Sequence, residues 1–491
     1  MRYKESQEKN MPTATITQAG LFAALLAALA APAAQAEGQL EAAPPTARMA
    51  DTWRAASRLG YAPTPDSAQA AAASPRAWAL RQLDAAYAAS RRPPTLPAEL
   101  AGINAPLNDI ARSFRAEQEA RRTAREKTAK PGMAAAAGAG DEKFSREMAQ
   151  DAAAWRLMSC SDPALENPLL ARMTEFWFNH LNVFVGKGPV RPFVGHYEIN
   201  AIRANALGRF EDLLLASAKH PAMLFYLDQA QSNSRGLNEN YARELMELHT
   251  LGVNSGYTQK DVRELARILT GWTVNLKDGE GFRFAERLHD KEGKVLLGRT
   301  FGNESVAEGE EAIRYLARRP ETARRVSTRL ASFFVADKPP AALVDKLAAT
   351  FTDTQGDIRV VMRALIESPE FWAKDKQLFK TPLDFACSAL TAAGGVKERR
   401  DIVQTLGFLA QAGQPMHGWQ TPDGYKTDAN TWLAPEALTR RADYAMGLGP
   451  RMAEPAYLNA FFSVATRERI AQEPAKMRTG LMLASPDFMR K

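Results

Sequence analysis

At 491 residues, with 45% apolar and 24% charged side chains, the chain has room for two or three domains and too many core formers to be disordered. Two cysteines exclude a scaffold built from disulfides, and a net charge of +7, thinly spread and without aromatic interleaving, argues against nucleic acid. No apolar run reaches the ~20 residues of a membrane-crossing helix, so no transmembrane span is expected in the mature chain.

Residues 1–36 read as a secretory signal: Arg2, Lys4 and Lys9 precede the apolar run Leu21 to Ala31, and Ala34-Gln35-Ala36 offers a small-residue cleavage site. Export to the periplasm or the medium is the expectation, although a start at Met11 would remove those cations. Residues 37–122 form an alanine- and proline-rich helical region, punctuated by Trp53, Leu59, Tyr61, Trp78, Leu83 and Tyr87. Residues 123–141, with the tract Met133 to Gly140, read as a flexible linker. A central motif-bearing helical domain over 142–300 and a C-terminal helical domain over 301–491 complete the expected organisation.

Asn167 as cap and Pro168 at the first position predict a helix with Leu169, Met173, Phe176, Trp177 and His180 on one stripe. Further helices are expected over 197–218 and 222–229. Asn238 to Gly252 forms a helix carrying three carboxylates, one arginine and one histidine, with Tyr241, Ala242, Leu245, Leu248 and His249 on its inward arc. Thr258 with Asp261 makes a capping box. The stretch 281–298 reads as a small β-hairpin or extended insertion with Gly293 in its turn. Helices then resume near Glu310, and Ser368-Pro369 and Ser485-Pro486 repeat one capping device. The fold class is mainly α, a multi-helix globular array with that one insertion.

Cys160 and Cys387 allow one long-range bridge or two free thiols. The clusters Arg121, Arg122, Arg125 and Arg318, Arg319, Arg324, Arg325 could meet an anionic polymer, although solvated helix faces are the ordinary reading.

The sharpest chemical expectation is a metal or acid-base site. His180, His249, His289 and Glu239 would hold a divalent metal such as zinc, iron or manganese, since imidazole and carboxylate are its usual ligands. Glu244 or Glu247 would act as base, Arg243 as anion clamp, and Asp290 as an acid-base group on a loop. No His-Glu-x-x-His or Glu-x-x-His spacing occurs among them, so separate helices must assemble the site. The bland alternative is that the histidines are hydrogen-bonded core residues and that Arg243 makes i,i+4 pairs with Glu239 and Glu247.

Trp177-Phe-Asn-His180, Asn238 to Gly252, Tyr257 to Val262, Thr270-Gly-Trp272, His289-Asp290 with Lys294, Lys380-Thr-Pro382 and Pro422-Asp-Gly-Tyr425 together resemble the bacterial domain of unknown function 1800 family. The likeness begins near Arg58-Leu-Gly-Tyr61 and covers nearly the whole mature chain. Leu181 stands where the family usually has phenylalanine, and Asp384 where it often has glutamate. The resemblance implies an exported, mostly helical protein, often encoded beside a sulfatase-like partner protein, and supplies no reaction. Two functional expectations follow: an enzyme with a His/carboxylate pocket, or a non-catalytic binding or assembly partner of that sulfatase-like protein or of an extracellular polymer.

Overall fold

The computed structural model describes residues 47–128, 143–276, 281–302 and 305–491. The expected signal segment and the Met133–Gly140 tract lie outside them. Helices α1 (Ala47–Arg58), α2 (Pro65–Ala72) and α3 (Pro75–Ser90) open the described chain. Thr64 and Ser74 cap α2 and α3, each of which starts on a proline whose missing N–H would have had no partner in the first turn. The aromatic punctuation marks packed helices, with Leu59, Tyr61, Trp78 and Leu83 buried. Helix α4 (Leu107–Thr128) continues beyond Thr123, where the linker was expected to begin.

Helices α5 (Lys143–Ser161) and α6 (Pro168–His180) follow. Asn167 caps α6 by accepting from the Leu169 and Leu170 N–H groups, as its sequence predicts. Every residue of α6 from Leu169 to His180 is buried. A helix enclosed on all sides has no wet face, so its Arg172, Glu175, Asn179 and His180 need protein partners.

The helix expected over 197–218 is broken. Tyr197–Ile202 is π-helical, and regular helix resumes in α7 (Phe210–Ala218), followed by α8 (Pro221–Tyr226). The motif helix begins as α9 (Asn240–Glu244) and widens into a π-helical turn over Leu245–His249. Met246, rather than Leu248, joins Tyr241, Ala242, Leu245 and His249 on the buried arc. Helix α10 (Gln259–Ile268) carries the predicted Thr258/Asp261 capping box.

Two hairpins stand where one was expected. β1 (Trp272–Asn275) pairs antiparallel with β2 (Gly281–Phe284), and β3 (Lys294–Leu296) with β4 (Arg299–Phe301). The second turns through Leu297 and Gly298, at φ of 49° and 80°, the double positive φ of a tight hairpin turn; Gly293 lies before the strands. Trp272 anchors the first hairpin by packing so closely on Gly309 that a Cβ there would come within 2.6 Å of its ring.

The remainder is helical: α11 (Val306–Ala317), α12 (Pro320–Phe334), α13 (Ala341–Asp353), α14 (Ile358–Glu367), α15 (Pro369–Trp372), α16 (Pro382–Ala392), α17 (Arg399–Gln411), α18 (Ala429–Trp432), α19 (Pro435–Leu448), α20 (Val464–Ala471) and α21 (Ala475–Leu483). The repeated Ser-Pro device is real at atomic level. Ser368 and Ser485 each donate to the carbonyl three residues back, at 2.7 Å, and accept from the N–H three residues ahead, at 3.3 and 3.2 Å. The second arginine cluster is neutralised piecemeal: Arg318 pairs with Glu211, Arg319 with Glu321 and Arg324 with Asp345, while Arg325 donates to the Leu248 carbonyl.

Residues 44–491 form one compact unit, and among the described residues no helix is long and apolar enough to cross a membrane. The two cysteines are joined, with Cα atoms 5.7 Å apart across a separation of 227 residues, linking α5 to α16. A crosslink over so long a loop restricts the unfolded chain, so replacing both cysteines by serine should lower stability by about 2–4 kcal/mol. Urea titration of the oxidised and double-serine proteins measures this; coincident midpoints would show the bridge to be energetically idle.

Candidate functional site

The predicted site residues do not meet in one place. His180 Nε2 donates to the His249 carbonyl oxygen at 3.0 Å, and the two rings lie 6.4 Å apart among Phe176, Trp177 and Phe210. Neither has a carboxylate partner among the described residues. Burial pushes both imidazoles below the ordinary histidine range, His249 to about 3, and Arg325 and Arg329 push in the same direction. His289 makes a separate set of contacts: Nδ1 donates to the Thr270 carbonyl at 2.9 Å, and Nε2 lies 3.1 Å from Glu308, which Lys294 also holds at 2.9 Å.

Asp290 pairs with Arg267 at 2.8 Å; burial raises its carboxyl, but Arg267, the Glu292 N–H and Lys294 together hold it below the usual range. Glu239 and Glu247 flank Arg243 at 3.4 and 3.5 Å on a partly solvated face, i,i+4 pairs worth ~0.2–0.5 kcal/mol each. Glu244 is half-buried, its carboxyl pushed up by burial and by Glu247. Among the described residues no group of three or more His, Cys, Asp or Glu side chains is placed to hold a metal ion. His180, His249, His289 and Glu239 therefore do not fit a divalent metal: the motif helix turns its histidine inward and its acids outward.

The buried polar side chains gather instead around α6. Arg172 donates to Glu175 Oε2 at 3.0 Å and to Asp384 Oδ2 at 2.7 Å, and Lys491 also contacts Asp384. Tyr61 and Tyr425 donate their hydroxyls to the two Glu175 oxygens at 2.8 and 2.7 Å. Burial, reinforced by Glu175, pushes both phenols well above their usual range, so they remain donors. Lys380 is fully buried beside this cluster with its ammonium 4.4 Å from the Phe488 ring centroid, and burial lowers it to about 7.

Beyond Glu175 lies a second acid, Glu198, on the π-helical segment. Arg156 ion-pairs with its Oε1 at 2.8 Å and His417 Nε2 lies 2.7 Å from its Oε2. Burial works against the Glu198 carboxylate, but Arg156 and His417 outweigh it and hold the group below its ordinary range. A carboxylate accepts only, so Nε2 of His417 carries a proton, and Nδ1 is buried and without a hydrogen-bond partner. His417 sits at φ 51°, in the left-handed region, a conformation that costs on the order of 1–3 kcal/mol and concentrates at functional sites.

The end of α6 and the residues after it hold this loop. Val185 N–H donates to the His417 carbonyl at 2.9 Å, Asn182 to the Trp419 and Thr421 carbonyls, and Asn179 both donates to the Tyr425 carbonyl and accepts from its N–H. The loop and α6 enclose a cavity of about 40 Å³ lined by Arg156, Glu175, Gln414, His417, Trp419 and Tyr425 among others, room for roughly two or three water molecules. Four lining residues keep a buried nitrogen without a partner: Arg156 Nη1, Gln414 Nε2, His417 Nδ1 and Trp419 Nε1. Tyr61, Lys380, Asp384 and Tyr425 belong to segments that carry the family resemblance, which is the signal that could have found them. Arg156, Glu198 and His417 carry no local signal.

Fold and site together define a helical protein with an enclosed charge cluster and a carboxylate–histidine pair at a small cavity. Residues 54–490 match the family model described as "Protein of unknown function (DUF1800)", and the chain belongs to that family. Comparison with curated proteins and with solved structures finds no match.

Two measurements check this geometry. Gly424 has φ 71°, and a Cβ there would stand 2.1 Å from the Asn179 carbonyl oxygen; Gly424→Ala should therefore cost ~1–3 kcal/mol and loosen the loop, read as a lower melting temperature and faster hydrogen exchange at Tyr425. The second concerns acid. His196 and His220 hydrogen-bond ring to ring at 3.0 Å, and burial lowers both, His196 to about 4. With His180 and His249, four imidazoles refuse protons that the unfolded chain accepts below ~6.5. Their stabilisation is complete above that value and lost as pH falls toward 4, by up to ~1.4 kcal/mol per group per pH unit. The strongest opposing carboxyl, Asp384, is raised by burial to about 7 and is one group against four. The urea midpoint should fall from pH 7 to pH 5; a flat or rising midpoint contradicts this protonation scheme.

Proposed function

We propose that the chain is an exported protein that performs general-base proton transfer at the Glu198–His417–Arg156 centre. One observation carries this reading: a buried carboxylate 2.7 Å from a histidine whose other nitrogen has no partner, beside a cavity. Glu198 fixes the tautomer and steadies the imidazolium that forms, while His417 Nδ1 takes a proton from a water or hydroxyl. Arg156, Gln414 and Trp419 supply N–H donors suited to a carbonyl oxygen, which takes up the π electron pair as the deprotonated water or hydroxyl oxygen bonds to its carbon. The cavity has room for the reacting group alone, so the body of a substrate stays outside it. The base roles considered for Glu244 and Glu247 pass to His417. Export is supported by the leader-like residues 1–36 and by the Cys160–Cys387 bridge, which persists in oxidising compartments.

Chemical labelling tests the centre without a known substrate. The folded protein is treated with diethyl pyrocarbonate near neutral pH and the modified histidines are mapped by mass spectrometry. His417 should react ahead of His180, His220 and His249, formate should slow it, and Glu198→Gln should slow it by at least ~10-fold, about 1.4 kcal/mol of lost activation. If His417 resists modification, or formate and Glu198→Gln leave its rate unchanged in a protein of normal melting temperature, the reading fails.

A further inference from the structure

A second recess, separate from the cavity, opens beside the β1–β2 hairpin. It is a groove of about 1090 Å³, at or beyond the upper end of the ~300–1,000 Å³ of ordinary small-molecule pockets. Phe225 of α8 and Phe284 of β2, both partly buried, are among the residues that line it. A smaller depression of about 340 Å³ adjoins it, because Phe225 and Leu276 line both. The space is therefore elongated and suits a chain better than a compact molecule.

Its charge is one-sided. The two acids that line the groove are already neutralised: Asp228 by Lys187 at 2.7 Å and Glu286 by Lys291 at 3.0 Å. Arg283 and Arg287 are exposed and have no ion-pair partner among the described residues. A membrane surface fits poorly, since Leu288 is the sole large apolar side chain of the groove lining that is exposed, at 42%, and an interfacial site needs a broad apolar face.

We infer that this groove binds an extended acidic polysaccharide of the uronate type. Arg283 and Arg287 take carboxylates of the chain as charge-assisted hydrogen bonds, and sugar faces lie on Phe225 and Phe284. Such a chain alternates apolar ring faces with anionic groups, which is the pattern the groove presents. The inference is independent of the proton-transfer centre, because binding is read without turnover.

The test uses the whole oxidised protein and fluorescently labelled oligogalacturonate, followed by anisotropy. Binding should saturate, weaken as salt rises, and fall at least ~10-fold in an Arg283→Ser/Arg287→Ser double variant of unchanged melting temperature. Neutral dextran should not compete. The inference is overturned by absence of saturable binding, by equal binding of the double variant, by competition from dextran, or by tighter binding to polyglutamate, oligonucleotides or anionic vesicles.

Discussion

The structure depends on a helix that has no exterior. Because α6 is enclosed along its length, Arg172, Glu175 and Asn179 have no access to bulk water and are answered by other parts of the chain. Those answers come from distant segments: Tyr61 after α1, Asp384 on α16, and Tyr425 at the end of the loop that carries His417. A buried charge deprived of one partner costs on the order of 3–5 kcal/mol, so each contact also fixes where its segment must lie. The polar interior of α6 thereby sets the relative positions of the N-terminal helices, the C-terminal helices and the cavity wall.

Local features were legible because their physics is local. The Asn167-Pro168 start of α6, the Thr258/Asp261 box and the two Ser-Pro caps each need only neighbours within a few residues, and all appear as expected. The second hairpin was misplaced because its turn puts Leu297 at positive φ, where composition favours glycine and pointed to Gly293. The π-helical turns at Tyr197–Ile202 and Leu245–His249 leave no mark on residue periodicity over so short a span.

The candidate site was less legible for a different reason. His180 and His249 were rightly placed in the interior, but the acids that share their motif helix must occupy its opposite arc, so the amphipathic pattern that buries the histidine also removes its partners. Carboxylates meet histidines elsewhere: Glu308 beside His289, and Glu198, which is 219 residues from His417, a pairing that exists only after the chain has folded. The tyrosines and the lysine around Glu175 and Asp384 were visible as motif members, while their shared target on α6 was not.

The bridge between Cys160 and Cys387 has a consequence beyond stability. Arg156 stands one turn before Cys160 on α5, and Asp384 roughly one turn before Cys387 on α16, so the covalent tie joins two helices that each deliver a charged group to the buried interior. In a reduced chain these helices are held by packing and by the Thr391 hydroxyl, which donates to the Cys160 carbonyl. Oxidation thus adds a covalent hold on the spacing of the two helices that seat Arg156 and Asp384, a hold that lasts only where thiols are not kept reduced.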